Sequence, residues 1–214
     1  VTGNIKFDFD LDADVPGRGA AFRAEQAPGR PIWVAGSTHA DEEQVCLAAH
    51  RRILTRFPEA LLLLVPRHPE RFAQVAALID KSGLAGVTRS SGERCLPEQS
   101  VFLGDSMGEL MTFYAAADVA FVGGSLEPRI GGHNLLEPAA LGLPLLTGPH
   151  FFNAPDIATL MIADGAARII AGPEELADCV CALFGDAAER RRRGRVGQRV
   201  VDDNRGTLPR VRGL

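Results

Sequence analysis

Phe121-Val122-Gly123-Gly124-Ser125-Leu126-Glu127-Pro128-Arg129-Ile130-Gly131-Gly132-His133-Asn134-Leu135-Leu136-Glu137-Pro138-Ala139-Ala140-Leu141-Gly142-Leu143-Pro144-Leu145-Leu146-Thr147-Gly148-Pro149 reads as strand, glycine-rich loop, helix, strand. Val119 to Val122 are apolar and partly β-branched, as a buried parallel strand requires. Gly123, Gly124, Gly131 and Gly132 let the backbone turn sharply and let a ligand approach it. The spacing predicts a helix from His133 or Asn134, with its free N–H groups facing the loop as an anion site. Asn134 is placed to cap that helix or to donate to a phosphate. Glu137, one turn inside, is placed to accept the two hydroxyls of a ribose. Together these features point to a nucleotide or nucleotide sugar. The rival reading is a plain βα turn, because Gly-Gly pairs also serve as turns.

Working outward, the same alternation recurs. Ile32–Ala35 predicts a strand, followed by Gly36-Ser37-Thr38-His39 and a helix from Asp41 to Phe57. Thr38 and Asp41 form a variant capping box. Asp41, Glu42 and Glu43 suit the first turn and Arg51, Arg52 and Arg56 the last. Val45, Ala49, Ile53 and Phe57 predict the sheet-facing stripe. Ser37 then lies at a strand's C-terminal end, where open α/β sheets hold ligands; His39 is either a ligand contact or loop surface. Leu61–Val65 predicts a second strand, ending in Pro66-Arg67-His68-Pro69-Glu70-Arg71 and a helix to Ser82 that Gly83 stops. Arg67 is either a bidentate phosphate contact or a surface partner of Glu70.

Further on, Gly86–Arg89 and Val101–Leu103 predict strands, and Gly104-Asp105-Ser106-Met107-Gly108-Glu109-Leu110 opens a helix capped by Asp105 or Ser106. Glu109 is either a dipole partner or part of the same ligand edge. Leu145–Thr147 and Ala167–Ala171 predict two more strands, and helices are expected over Pro155–Ala163, Pro173–Phe184 and Ala187–Asn204. The last carries Arg190, Arg191, Arg192, Arg193 and Arg195, which make a solvated face or a contact for an anionic membrane. Repeated strand–helix alternation predicts an α/β fold, a doubly wound, Rossmann-like parallel sheet.

The 214 residues, 46% hydrophobic and 23% charged, suffice for one good core. A net charge of −4 argues against a nucleic-acid partner held by charge. No apolar run reaches membrane-spanning length. Cys46, Cys95, Cys179 and Cys181 are expected to be small buried hydrophobes, since Cys179 and Cys181 point apart on a helix, and no metal site is expected. Residues 1–26 read as an irregular inter-domain linker, with Asp8, Asp10, Asp12 and Asp14 solvated, and residues 27–214 as the ligand-binding domain. A chain that begins at Val1 inside such a segment is expected to be the C-terminal part of a longer protein.

Five segments carry a family resemblance: Gly36-Ser37-Thr38-His39 with Glu42-Glu43; Val65-Pro66-Arg67-His68-Pro69-Glu70-Arg71; Thr88-Arg89-Ser90-Ser91-Gly92; Gly104 to Leu110; and Phe121 to Ser125 with Gly131 to Pro138. In that order and spacing the chain resembles the C-terminal half of the 3-deoxy-D-manno-octulosonic acid (Kdo) transferases of lipopolysaccharide synthesis. The resemblance implies the donor-binding half of a GT-B glycosyltransferase, at the cytoplasmic face of the bacterial inner membrane. It implies a CMP-Kdo donor, a lipid A precursor as acceptor, inversion at the transferred sugar and no metal or other cofactor. By motif, Pro66, Arg67, Met107, Gly108, Glu109, Asn134, Leu135, Leu136 and Glu137 would line the CMP site, with Ser37, His68, Gly132 and His133 as further cleft residues. Arg67 and the helix start at Asn134 would neutralise the leaving phosphate, Glu137 would hold the ribose, and the Met107–Glu109 turn would sit near the base. The family's general base belongs to the N-terminal half, so this stretch is expected to bind nucleotide without catalysing transfer. The Leu126–Ile130 loop is longer than the family's, with Pro128 inserted, so the aim of Arg129 does not carry over.

Two other classes share parts of this pattern. UDP-sugar 2-epimerases, like other GT-B nucleotide-sugar domains, would press Glu109, His133 and Glu137 into catalysis and would prefer UDP. A dinucleotide-binding domain requires a compact G-x-G-x-x-G after the first strand, which Gly36-Ser37-Thr38-His39 does not supply.

Overall fold

Seven strands form one sheet in which every pairing is parallel, in the order β3-β4-β2-β1-β5-β6-β7. They are β1 Ile32–Thr38, β2 Leu61–Pro66, β3 Gly86–Thr88, β4 Val101–Leu103, β5 Val119–Val122, β6 Leu145–Thr147 and β7 Ala167–Ile169. The helices are α1 Val15–Gln26, α2 Glu42–Leu54, α3 Phe72–Ser82, α4 Leu110–Ala116, α5 Leu136–Ala140, α6 Pro155–Ala163, α7 Pro173–Gly185 and α8 Ala187–Asn204. The computed structural model describes residues 11–204.

Strand period two divides the core in two. Ile32 and Val34 of β1, Leu61 and Leu63 of β2, and Ala120 and Val122 of β5 face one core, with helices α1, α4, α5, α6 and α8. Trp33, Ala35, Leu62, Leu64, Val119 and Phe121 face the other, under α2, α3 and α7. Both faces are covered, which is why β2 reads as an unbroken apolar run. Each fully buried Leu or Phe contributes about 1.5–3 kcal/mol. One polar pair interrupts the second core: Trp33 Nε1 donates to His50 Nδ1 at 3.1 Å, and His50 Nε2 donates to the Ser100 carbonyl at 2.8 Å. Both ring nitrogens are satisfied only by a neutral imidazole.

Residues 15–26 are a correction: they form α1, not an irregular linker. Phe22 is buried and meets Phe102 and Phe113 edge-on, with centroids at 5.1 and 5.3 Å. A Cβ on Gly19 would strike the Ala115 backbone, so this glycine permits α1 and α4 to touch. The signal was weak because Pro16, Gly17 and Gly19 break the usual helical composition. Residues 1–10 of the expected linker lie outside the described residues.

The α2 stripe is rotated from the expected one. Glu42, Glu43, Cys46, Ala49, His50 and Ile53 are buried, whereas Val45 and Phe57 are only partly so. Cys46, Cys179 and Cys181 are buried free thiols, while Cys95 is half-buried near Arg30. Helix α8 lies against α5 through Gly194, whose absent Cβ makes room for the Gly142 carbonyl. Three of its six arginines are engaged within the fold: Arg192 and Arg193 pair with Glu189, and Arg190 donates to the Leu183 and Phe184 carbonyls. No helix among the described residues is long and apolar enough to cross a membrane.

Candidate functional site

Strand order reverses between β1 and β5, because β2 to β4 extend the sheet one way and β5 to β7 the other. Such a switch point opens a crevice at the strand C-termini. The loops after β1, β2 and β5 meet there. Arg67 N–H donates to the Thr38 carbonyl at 2.9 Å, and Gly123 N–H to the Gly36 carbonyl at 2.8 Å. A Cβ on Gly123 would lie 2.6 Å from the Ser37 carbonyl oxygen and 2.8 Å from Thr38 Cα, so only glycine allows this approach. Ser37 and Asp41 both hold positive φ, 55° and 70°. Two non-glycine residues in that region within five positions mark a loop whose shape is imposed by its surroundings.

The imposing group is Glu42, which is 1% exposed. Its Oε2 accepts the N–H groups of His39 at 3.0 Å and Gly124 at 2.7 Å, and its Oε1 those of Ser125 and Leu126, both at 3.0 Å. One carboxylate thus ties the start of α2 to the glycine loop. Four charge-assisted bonds compensate for its burial. Thr38 makes no capping bond; its buried Oγ1 has no protein partner. Glu43, beside Glu42, is equally buried and takes a bidentate bond from Arg71 at 3.2 and 3.0 Å. Burial pushes its carboxyl pKa up, and Arg71 pulls it partly back.

The glycine loop folds on itself through the Gly132 N–H to Gly124 carbonyl bond at 2.7 Å. Asn153 Nδ2 donates to the Ile130 and Gly132 carbonyls at 2.7 and 3.0 Å. Gly131 and Gly132 hold φ of 84° and 76°, which permits the turn into His133. The helix after it is α5, only five residues long and beginning at Leu136, later than expected. Asn134 Oδ1 accepts the Leu136 N–H at 3.0 Å. So short a helix sums few peptide dipoles, and any anion there meets individual N–H groups instead of a macrodipole. Leu135 and Leu136 have buried side chains in the core, so only their backbones are available to a ligand.

Glu137 is half-buried within reach of Arg67. Burial raises its pKa, and the Asn134 hydrogen bond and the Arg67 charge lower it. Arg67 is exposed and makes no salt bridge among the described residues; the surface alternative, a pair with Glu70, does not form. Glu70 instead approaches His68 Nδ1 at 3.9 Å. Glu109 neither caps nor faces the α4 dipole alone: Arg89 donates to both its oxygens at 2.9–3.2 Å, and Ser106 is a second partner. Arg89 is the first cause of its lowered pKa. Asp105 accepts from Ser90 instead of capping α4. Between them Met107 projects into solvent, 61% exposed, and Gly108 turns the chain at φ 82°. Arg129 is 86% exposed and paired with Glu127.

His39 and His133 are stacked edge to edge, Nε2 to Nε2 at 2.7 Å, and the His68 ring stands against His39 with centroids 5.2 Å apart. Burial takes the His133 pKa down to about 4, with His39, Arg67 and His68 adding to it. Among the described residues no group of three or more His, Cys, Asp or Glu side chains is arranged to hold a metal. A cavity of about 380 Å³ opens beside His133, lined by Gly132, Asn134, Leu136, Asn153 and Ile157. A larger one, about 590 Å³, lies near Arg30, Pro58 and Pro97 at the opposite ends of the strands; His133, Asn134 and Asn153 make the first the candidate site.

The roles of Glu42 and Asn153 and the Arg89–Glu109 pair were not read from sequence. No local pattern singles out Glu42, because acids in a first helical turn ordinarily face solvent and serve the dipole.

No family model matches the chain. It is 42% identical over 215 residues to 3-deoxy-D-manno-octulosonic acid transferase of Haemophilus influenzae, covering all of this chain and 50% of that protein. It is 41% identical over 197 residues to the Bordetella pertussis protein of the same name, covering 89% of this chain and 45% of that one. The chain thus spans about half the length of the curated relatives it matches. Among solved structures it superposes on the C-terminal CMP-Kdo binding domain of WaaA from Acinetobacter baumannii with TM-score 0.84 and 32% identity, covering 89% of this chain and 99% of that domain.

Proposed function

The chain belongs to the Kdo transferase family, within its C-terminal domain, and from that premise we propose that it binds CMP-Kdo as the donor half of a glycosyltransferase that passes Kdo to the lipid A precursor. The observation that carries this reading is the match to a CMP-Kdo binding domain over nearly all of that domain's length, in a chain that sets Arg67 after β2 and Glu137 in α5, beside the strand C-termini at the switch point.

The roles follow from chemistry. Arg67, exposed and with no salt bridge among the described residues, presents a planar fork to the phosphate that leaves with the nucleoside. Holding that charge as it develops lowers the barrier to transfer. The Leu135 and Leu136 backbones and Asn134 flank the same anion. Glu137 accepts the ribose hydroxyls. Pro66 stiffens the approach to Arg67, and Met107 and Gly108 offer an exposed edge to the base, positioned by the Arg89–Glu109 pair. Inversion, independence of metal and a carboxylate general base in the half of the relatives that this chain does not match complete the proposal. The full protein would work at the cytoplasmic face of the inner membrane.

Calorimetric titration with CMP, UMP and UDP tests it. Selective CMP binding is expected. Preference for UDP would replace this reading with a UDP-sugar epimerase or another sugar transferase.

A further inference from the structure

Three imidazoles and a guanidinium crowd one end of the crevice. His39 follows β1, Arg67 and His68 follow β2, and His133 ends the glycine loop. The His39 and His133 planes lie within 7° of parallel, and their Nε2 atoms share a single hydrogen bond, so one ring must donate and the other accept. Among the described residues no carboxylate hydrogen-bonds an imidazole of this group. Glu42 spends both oxygens on four backbone N–H groups, although its charge still favours the protonated form of His39 against the stronger effect of burial. Glu43 is tied to Arg71. Glu70 touches only the outer edge of His68. The Arg67 charge lowers the pKa of Glu137. From the α3 side Arg71 adds further positive charge to the field at His39.

A cluster of protonatable rings beside a guanidinium, with no carboxylate hydrogen-bonded to the rings among the described residues, suits an anion. Arg67 already suits a phosphate. An octulosonic acid linked to CMP carries a second anion, its own carboxylate. We propose that His39 and His133, with His68 at their edge, form a carboxylate subsite for the donor's sugar, distinct from the phosphate contact at Arg67, and that filling it places a proton on the His39–His133 pair. This rests on the CMP-Kdo reading above. Desolvation keeps the empty pair neutral; a bound carboxylate reverses that balance, because an opposite charge within a few ångströms favours the imidazolium.

The test is calorimetry near pH 6.5 in two buffers of different ionisation heat, with CMP, CMP-Kdo and free Kdo, on the parent chain and on His39→Gln, His133→Gln and His68→Gln. Glutamine keeps a hydrogen bond but does not titrate, and exposed His68 can be changed without touching the fold. The parent is expected to take up protons with CMP-Kdo beyond any uptake with CMP. His39→Gln and His133→Gln are expected to lose about tenfold or more of the preference for CMP-Kdo over CMP, keep CMP affinity and lose the extra uptake. His68→Gln is expected to lose less. An equal loss for CMP would assign the cluster to the phosphate and overturn the proposal, as would an undiminished preference. A parent that binds CMP but shows no gain with CMP-Kdo overturns this inference alone. A parent that binds neither overturns the nucleotide reading with it.

Discussion

Replacing Glu42 by glutamine tests the central claim about how the crevice is built. Each Glu42 oxygen receives two backbone N–H groups, His39 and Gly124 on one, Ser125 and Leu126 on the other. Glutamine is nearly isosteric but keeps only one acceptor oxygen. Its amide N–H₂ would face two N–H donors that have no water to turn to, since the residue is 1% exposed. A buried donor left without an acceptor costs about 1–3 kcal/mol. Two of them, together with the lost charge on the remaining pair, give about 4 kcal/mol. That is a large part of the 5–15 kcal/mol that holds a typical domain folded, yet a stable one survives it. Urea unfolding should show a lower midpoint at unchanged slope, the sign of a native state weakened without a change in exposed area. Glu43→Gln is the comparison, because Glu43 has the same burial but a single side-chain partner, Arg71. A loss below about 1 kcal/mol for Glu42→Gln would refute the reasoning. It would mean that the loop holds its shape through the glycine backbone and the Asn153 bonds alone.

Arg67→Ala should weaken CMP binding about ten- to hundredfold while leaving thermal unfolding unchanged, as Arg67 is exposed and unbridged; Glu137→Ala should weaken the same titration. Gly123→Ala should destabilise by about 1–3 kcal/mol or more, read by thermal unfolding, because its Cβ meets Ser37 and Thr38 backbone atoms that cannot swing aside. Stability should also fall with pH from the histidine range downwards. Burial lowers the His50 pKa to about 3, from 6.5 when unfolded. The unfolded chain therefore binds the proton first, so the stabilisation is complete above about pH 6.5 and is lost as pH falls toward 3. His39 and His133 are shifted in the same direction. Urea midpoints measured between pH 8 and pH 5 should drop below pH 6.5; a flat profile would mean that His50 is not held as a neutral relay between Trp33 and Ser100.

How much of this was legible depends on the range of the forces involved. Strands β1, β2, β4, β5 and β6 announce themselves through local runs such as Leu61–Val65, because a strand buried on both faces must be apolar throughout. Their alternation with amphipathic helices is enough to call for a parallel, doubly wound sheet, and the motifs around Arg67, Met107–Glu109 and Asn134–Glu137 fall at its C-terminal edge as expected. Helix α1 was hidden because its proline and glycines argue locally against a helix, and only the packing of Gly19 on Ala115 and of Phe22 between Phe102 and Phe113 explains them.

The sequence by itself therefore determined the fold class, the alternation of strands and helices from β1 onward and the chemical types gathered along one edge, since those follow from periodicity and local backbone preference. Only the tertiary structure decided partnership. It sends Glu42 to four N–H groups up to 84 residues away, gives Arg89 to Glu109, leaves Arg67 free of Glu70, and sets His39 against His133 across 94 residues. A hydrogen bond or ion pair is made by whichever groups the sheet order brings within about 3 Å, and no local pattern records the order in which seven strands lie side by side.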